Sequence, residues 1–343
     1  MSEEKNIKSR VEWIDVAKAI GIFFIYLGHL AERAGLAYNW VFLFHVPLFF
    51  YLSGCLENRN DNVKINDLVL KKFINIIIPY FIFCFIVLAY EAVGKGDYSY
   101  IKNHLIIIIK GGIRNSFYLE SGLWFLTCLF VLETLFAVLR RIIKYKYLIL
   151  IICIGLNFLI RITLKEPSWY YNIDSALKYM VFYCIGWMSF ENINAFLNSN
   201  DKRIIIVRYL FFVFAVLYSG AVYFKWNLFI IVFGNGRVSS LIDGIITSLV
   251  LIYLVIQISC IICKNSIIKK IGINSLYLCG CEYLVKSILG QIALMIGLNI
   301  VIDNTIQAML YTGVVILIAN YTMVPVLKEV IARIQVDIKE LFL

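Results

Sequence analysis

Three ionisable side chains stand out in an otherwise strongly apolar chain: Lys18, His29 and His45. Imidazole takes and returns a proton near neutral pH, which suits it to general-base work. A lysine ammonium complements a phosphate. Lys18 and His29 are eleven residues apart. At ~100° per residue that is about three helical turns, so both face the same way, roughly 16 Å apart along the axis. One helix face then offers a cation near one end and an imidazole deep inside. His45 follows a turn expected near Leu36 by nine residues, and His29 precedes that turn by seven. An antiparallel helix pair brings the two imidazoles to similar depth, where they can share one cavity. Pro47 removes a backbone donor, and the kink expected there frees carbonyls around that cavity. The alternative is that each histidine bonds a neighbouring carbonyl or serine and does nothing more.

The elements that position these groups are membrane helices. The chain has 343 residues, 62% of them hydrophobic and 16% charged, with a mean hydropathy of +0.84. Soluble domains average about 45–50% apolar and ~25% charged, so the composition is that of an integral membrane protein. Ten apolar segments are read, at approximately 13–33, 39–56, 73–93, 120–139, 147–164, 176–192, 204–224, 238–262, 272–298 and 306–327. Each is near the ~20 residues that cross a bilayer. The expected fold is therefore all-α and polytopic. The first run reads as a retained span: it is too long for a signal-peptide core and holds Lys18 and His29. The mixed stretch 94–119 is expected to be re-entrant or interfacial, with His104 in a loop.

Net charge is +10, but the basic residues are scattered, which leaves no nucleic-acid stripe. Alternate connections carry 20 of the 32 Lys and Arg on one side and 8 on the other. The positive-inside rule then puts both termini in the cytoplasm, with short tails at about 1–12 and 328–343. No repeat or long linker divides residues 1–343, so one membrane domain is expected. The nine cysteines, including Cys260-x-x-Cys263 and Cys279-x-Cys281, lie in or beside apolar segments and read as packing residues. No metal site is expected.

Several motifs together resemble the membrane acyltransferase 3 family, and within it the fucose 4-O-acetylase-like branch. They are Lys18-x10-His29, then Phe44-His45-Val46-Pro47-Leu48-Phe49-Phe50 ending in Ser53-Gly54. Further on come Lys71-Lys72 before Pro79-Tyr80, Leu123-Trp124-Phe125-Leu126, and Ile271-Gly272-Ile273-Asn274-Ser275-Leu276-Tyr277. The resemblance implies ten core helices and transfer of an acyl group, usually acetyl from acetyl-CoA, to a sugar hydroxyl. It implies a cell-envelope role, in a bacterial cytoplasmic membrane, on a surface glycan or its lipid-linked precursor. Within that reading His29 and His45 are the catalytic candidates. Lys18, Lys71 and Lys72 are the candidates for the donor's phosphates, although the last two also read as anchors at a helix end.

Trp124, Asn274, Ser275 and Glu282 are the acceptor-side candidates. Trp124, with Ser121-Gly122 before it, reads either as a belt residue or as a stacking surface for a sugar. Two positions depart from the family pattern. Asn75 stands where an arginine is common, and Glu282 lies near where a histidine often ends the late motif. Glu282 can pair with Lys286 one turn on; whether it orients the acceptor is open, as are the roles of Asp15 and Glu133. The rival expectation is a transporter or flippase for an oligosaccharide or lipid-linked sugar, against which stands the absence of an internal repeat.

Overall fold

In hydrocarbon every backbone donor and acceptor needs a partner within the chain, so long apolar runs fold as helices. The computed structural model describes residues 11–57, 63–96, 99–114, 122–226, 231–232, 234 and 236–342. Lys5, Lys8, Arg10, Arg59 and Ser121 lie outside the described residues. Among those described, every regular element is a helix. The first two apolar segments form α1 (Glu12–Gly28), α2 (Leu36–Val41) and α3 (His45–Cys55). Then come α4 (Ile65–Lys72), a π-helical turn (Phe73–Ile77), α5 (Ile78–Lys95) and α6 (Ser99–Ile109). The middle of the chain is α7 (Trp124–Ile142), α8 (Lys146–Thr163), α9 (Ile173–Leu197) and α10 (Lys202–Tyr223). The remainder is α11 (Arg237–Ile262), α12 (Ser266–Ile273), α13 (Ser275–Met295), α14 (Thr305–Tyr321) and α15 (Met323–Phe342).

Six helices, counting α2–α3 and α4–α5 each as one, are long and apolar enough to cross a membrane, and α14 with α15 forms a seventh bent by 44°. α1 is 17 residues long, just under one bilayer thickness at 1.5 Å per residue. α6, at eleven residues, covers roughly 16 Å and is too short to span. His104, expected in a loop, lies in α6 and is buried; the apolar run that follows it carries the helix on to Ile109. Residues 328–342 continue α15, whose Val324, Leu327 and Ile331 point inward at helical spacing.

The second segment is broken rather than merely kinked. α2 ends at Val41 and α3 restarts at His45, so Pro47 falls in the first turn of α3, where its missing N–H costs no intrahelical bond. The Leu43 carbonyl, which Pro47 cannot serve, accepts the Ser248 hydroxyl of α11 at 2.6 Å.

Small residues decide which helices touch. A Cβ on Gly54 of α3 would lie 2.0 Å from the Tyr183 carbonyl oxygen, and one on Gly186 of α9 would lie 2.1 Å from that of Tyr51. The two glycines thus face each other's backbones across one close crossing, the packing mode that lets helices associate in lipid. Gly272 does the same for α12 on α1: a Cβ there would sit 1.6 Å from the Asp15 carbonyl oxygen. All nine cysteines are free, and seven are buried.

Candidate active site

α1 stops at Gly28 because the chain turns there; His29 caps the helix and Ala31–Ala34 form a short 3-10 turn behind it. The imidazole is therefore at the end of the helix rather than deep within a span, and 27% of its side chain stays exposed. Nδ1 lies 2.8 Å from Glu282 Oε2 of α13. Glu282 Oε1 accepts Lys286 Nζ at 2.6 Å, and Lys286 also donates to the Tyr26 carbonyl at 3.0 Å. Tyr26 in turn donates its hydroxyl to the Leu278 carbonyl at 2.7 Å. Glu282 itself is 1% exposed, so both its oxygens depend on these partners. A carboxylate salt-bridged to lysine accepts, so Nδ1 carries the hydrogen of the His29–Glu282 bond and Nε2 is left with its lone pair.

His29, Glu282 and Lys286 line a cavity of about 810 Å³. That volume is in the range of small-molecule sites. Its other walls include Arg33, Tyr283, Ser287, Leu298 and Asn299. The loop entering α7 comes close as well: a Cβ on Gly122 would lie 3.3 Å from Cys279 Sγ and 4.0 Å from His29 Cε1. Three elements thus converge on the imidazole: the end of α1, the start of α7 and the middle of α13.

His45 has a different setting. It opens α3, is 3% exposed, and its Nδ1 is 2.7 Å from the Val41 carbonyl oxygen. In an unbroken helix that carbonyl would accept the His45 backbone N–H; the break hands it to the side chain instead. A carbonyl only accepts, so this imidazole also anchors through Nδ1–H, and Nε2 has no partner among the described residues. The ring packs edge-on to Phe42 at 4.8 Å. It lies within electrostatic reach of His29, Arg114 and Glu282, yet it is not among the residues lining the 810 Å³ cavity. The two histidines are neighbours without sharing that wall.

The lysine candidates separate too. Lys72 Nζ donates to Glu133 Oε2 at 2.7 Å and to Glu57 Oε2 at 3.5 Å, and the Tyr183 hydroxyl donates to the same Glu57 oxygen at 2.5 Å. Lys18 is half-buried, within electrostatic reach of Glu133. Lys71 is exposed at the end of α4, and Asn75 is exposed in the π-helical turn that follows.

The acceptor-side candidates fall at two levels. Asn274 is at the junction of α12 and α13, eight residues before Glu282 or about 12 Å along a helix. It is buried and donates to Asn320 Oδ1 at 2.7 Å; Ser275, half-buried, opens α13. Both lie toward the Lys18 end of α1, where Gly272 meets Asp15. Trp124 is half-buried at the start of α7, at the His29 end.

Arg114, which the sequence marks only as a loop charge, lies over the Trp124 ring at 4.7 Å and donates to the Tyr179 hydroxyl at 3.1 Å. Tyr179 raises its pKa, so it remains a fixed cation. Asn172 ties the same corner together, accepting the Arg114 backbone N–H at 2.8 Å and donating to Thr127 Oγ1 at 3.0 Å. No pattern in the sequence announces Arg114 or Asn172, because their partners are 45 to 65 residues away.

Residues 11–323 match a family model described as an acyltransferase domain, that of the acyltransferase 3 family. No curated protein and no solved structure matches the chain. The match spans nearly the whole sequence, so the chain belongs to this family of membrane acyltransferases.

Proposed function

We propose that the chain is an O-acetyltransferase that moves acetyl from acetyl-CoA to a hydroxyl of a cell-surface or lipid-linked sugar, with His29 as the base. The observation that carries the reading is the His29–Glu282 pair at the wall of the 810 Å³ cavity. Glu282 fixes the tautomer and aim of the ring, so that Nε2 meets an acceptor hydroxyl entering from the cavity. The hydroxyl oxygen attacks the thioester carbonyl carbon while Nε2 takes its proton. The C–S bond then breaks, and the proton passes to the departing sulfur, leaving an acetyl ester and free CoA thiol. In this reading Glu282 is a positioning residue rather than a sugar ligand, and Lys286 holds its other oxygen.

His45, within electrostatic reach of His29, would polarise the thioester carbonyl or steady charge as it develops. The donor approaches from the Lys18 end of α1. Lys71 and Lys18 supply charge for its phosphates, whereas Lys72 is committed to Glu133 and Glu57. A pantetheine arm then crosses the roughly 16 Å between Lys18 and His29. Ten crossings, with both termini in the cytoplasm of a bacterial cell, put Lys18 at the inner surface and the cavity at the outer one. The fucose 4-O-acetylase-like branch suits the same chemistry.

The test compares alkali-labile acetyl on surface glycans from cells with and without the protein, followed by label transfer from acetyl-CoA in isolated membranes. Acetyl should appear on a sugar hydroxyl only where the protein is present. Sugar uptake or flipping with no dependence on acetyl-CoA would replace this reading with a transporter.

A further inference from the structure

The cavity beside His29 carries an unbalanced charge. Of the acidic and basic side chains in its wall, Glu282 and Lys286 neutralise each other at 2.6 Å. His29 is engaged through Nδ1 with the same carboxylate. That leaves Arg33, which lines the cavity, is exposed, and makes no ion pair among the described residues. Glu32, its neighbour in sequence, does not line the cavity, nor does Asp303. The hydroxyl of Tyr283 is taken by Glu91, and Ser287 shares a hydrogen bond with Tyr90. The strongest donor left for a ligand is therefore the Arg33 guanidinium, whose planar fork fits a phosphate or a carboxylate.

Part of the lining is apolar. Leu294, Leu298 and Ile300 line the cavity and are 78%, 55% and 41% exposed. The end of α13 and the chain after it thus add apolar surface to a cavity whose wall also holds the Arg33 cation. A neutral sugar would use neither feature, whereas an anionic group attached to an apolar or sugar body would use both.

We propose that this cavity selects an acceptor bearing a phosphate or carboxylate next to the acetylated sugar hydroxyl, and that Arg33 is the residue that reads the charge. The proposal rests on the acyltransferase reading only for calling the ligand an acceptor; the anion site itself stands or falls by binding. A charge-assisted hydrogen bond to arginine is worth about 1.5–3 kcal/mol, which corresponds to roughly tenfold or more in affinity.

The experiment measures equilibrium binding to the full chain in neutral phosphatidylcholine nanodiscs at low salt. The probes are glucose, glucuronate, glucose 1-phosphate and a decyl phosphodiester of glucose. The anionic probes should bind about tenfold more tightly than glucose, and the preference should shrink as salt is raised. R33Q should erase the preference and R33K should keep most of it. Equal binding of glucose and the charged sugars overturns the proposal, as does a preference that survives in R33Q, or no binding of any probe by folded protein. A further gain for the decyl phosphodiester over glucose 1-phosphate identifies a lipid-linked phosphate as the source of the charge; glucuronate outbinding both identifies a sugar acid. Acetyl transfer, assayed separately, decides the acyltransferase reading: charge-selective binding without transfer would sink that reading and leave the anion site intact.

Discussion

The two ends of α1 carry nearly the same chemical inventory and use it in opposite ways. At the Lys18 end, Lys72 bridges Glu133 and Glu57 while Tyr183 caps Glu57. Those four residues come from α4, α7, the turn after α3, and α9, so the cluster ties four parts of the bundle together. At the His29 end, Lys286 and Glu282 come from one helix four residues apart, and among the described residues their distant side-chain partners are His29 and the ring of Tyr26, both on or capping α1. The first arrangement joins four elements; the second joins two and also holds one imidazole. One carboxylate oxygen, Glu57 Oε1, is buried without a partner among the described residues at the Lys18 end, whereas both Glu282 oxygens are engaged. A cavity opens beside the second cluster, with His29 in its wall. Lysine and glutamate together do not set the two clusters apart; what differs is the imidazole held at the edge of a cavity.

That contrast can be broken by substitution. The largest effect is expected for His29→Ala, which should lower acetyl transfer by about 10³-fold, within the span general bases contribute. Some thermal stability should be lost with it, because Glu282 Oε2, in a side chain only 1% exposed, is left without its partner. Glu282→Gln should cost about 10²-fold in kcat with little change in acceptor KM, since the ring loses its tautomer control but remains present. A stability loss in place of the kcat loss would make Glu282 a structural tether like Glu133. Lys72→Met should do the reverse: about 2 kcal/mol of stability lost, discounted for the partial exposure of both partners, with donor KM unchanged. Thermal denaturation in detergent and initial rates at varied acetyl-CoA measure the two sides. A raised donor KM in the Lys72 variant would move that lysine from the tether into the donor site.

Much of the architecture is legible in the sequence because the bilayer imposes length and hydrophobicity on each run. The unusual cost of Lys18, His29 and His45 in such runs singles them out before any contact is known. Where α1 ends is less legible: Leu30 and Ala31 continue the apolar run, and only the turn beneath them shows that His29 caps the helix. Pro47 announces a disturbance in the second segment, but the break needs Ser248, 205 residues away, to satisfy Leu43. Gly272 appears in a motif with Asn274 and Ser275, yet its role is the approach of α12 to Asp15, which spacing alone cannot convey. Glu282 illustrates the general difficulty. Its helical neighbour Lys286 is predictable at i+4, whereas its contact with His29 joins two helices at opposite ends of the chain.

That separation has a consequence in time. His29 and Glu282 are 253 residues apart, and ribosomes add roughly 5–20 residues per second. For roughly 13–50 s after His29 is made, its partner does not yet exist. A nascent chain that has inserted its first helices therefore presents an unaimed imidazole, and on the proposed function competence arrives only once α13 docks on α1. Synthesis would then act as a safeguard, with the base left without its positioning residue until α13 is made.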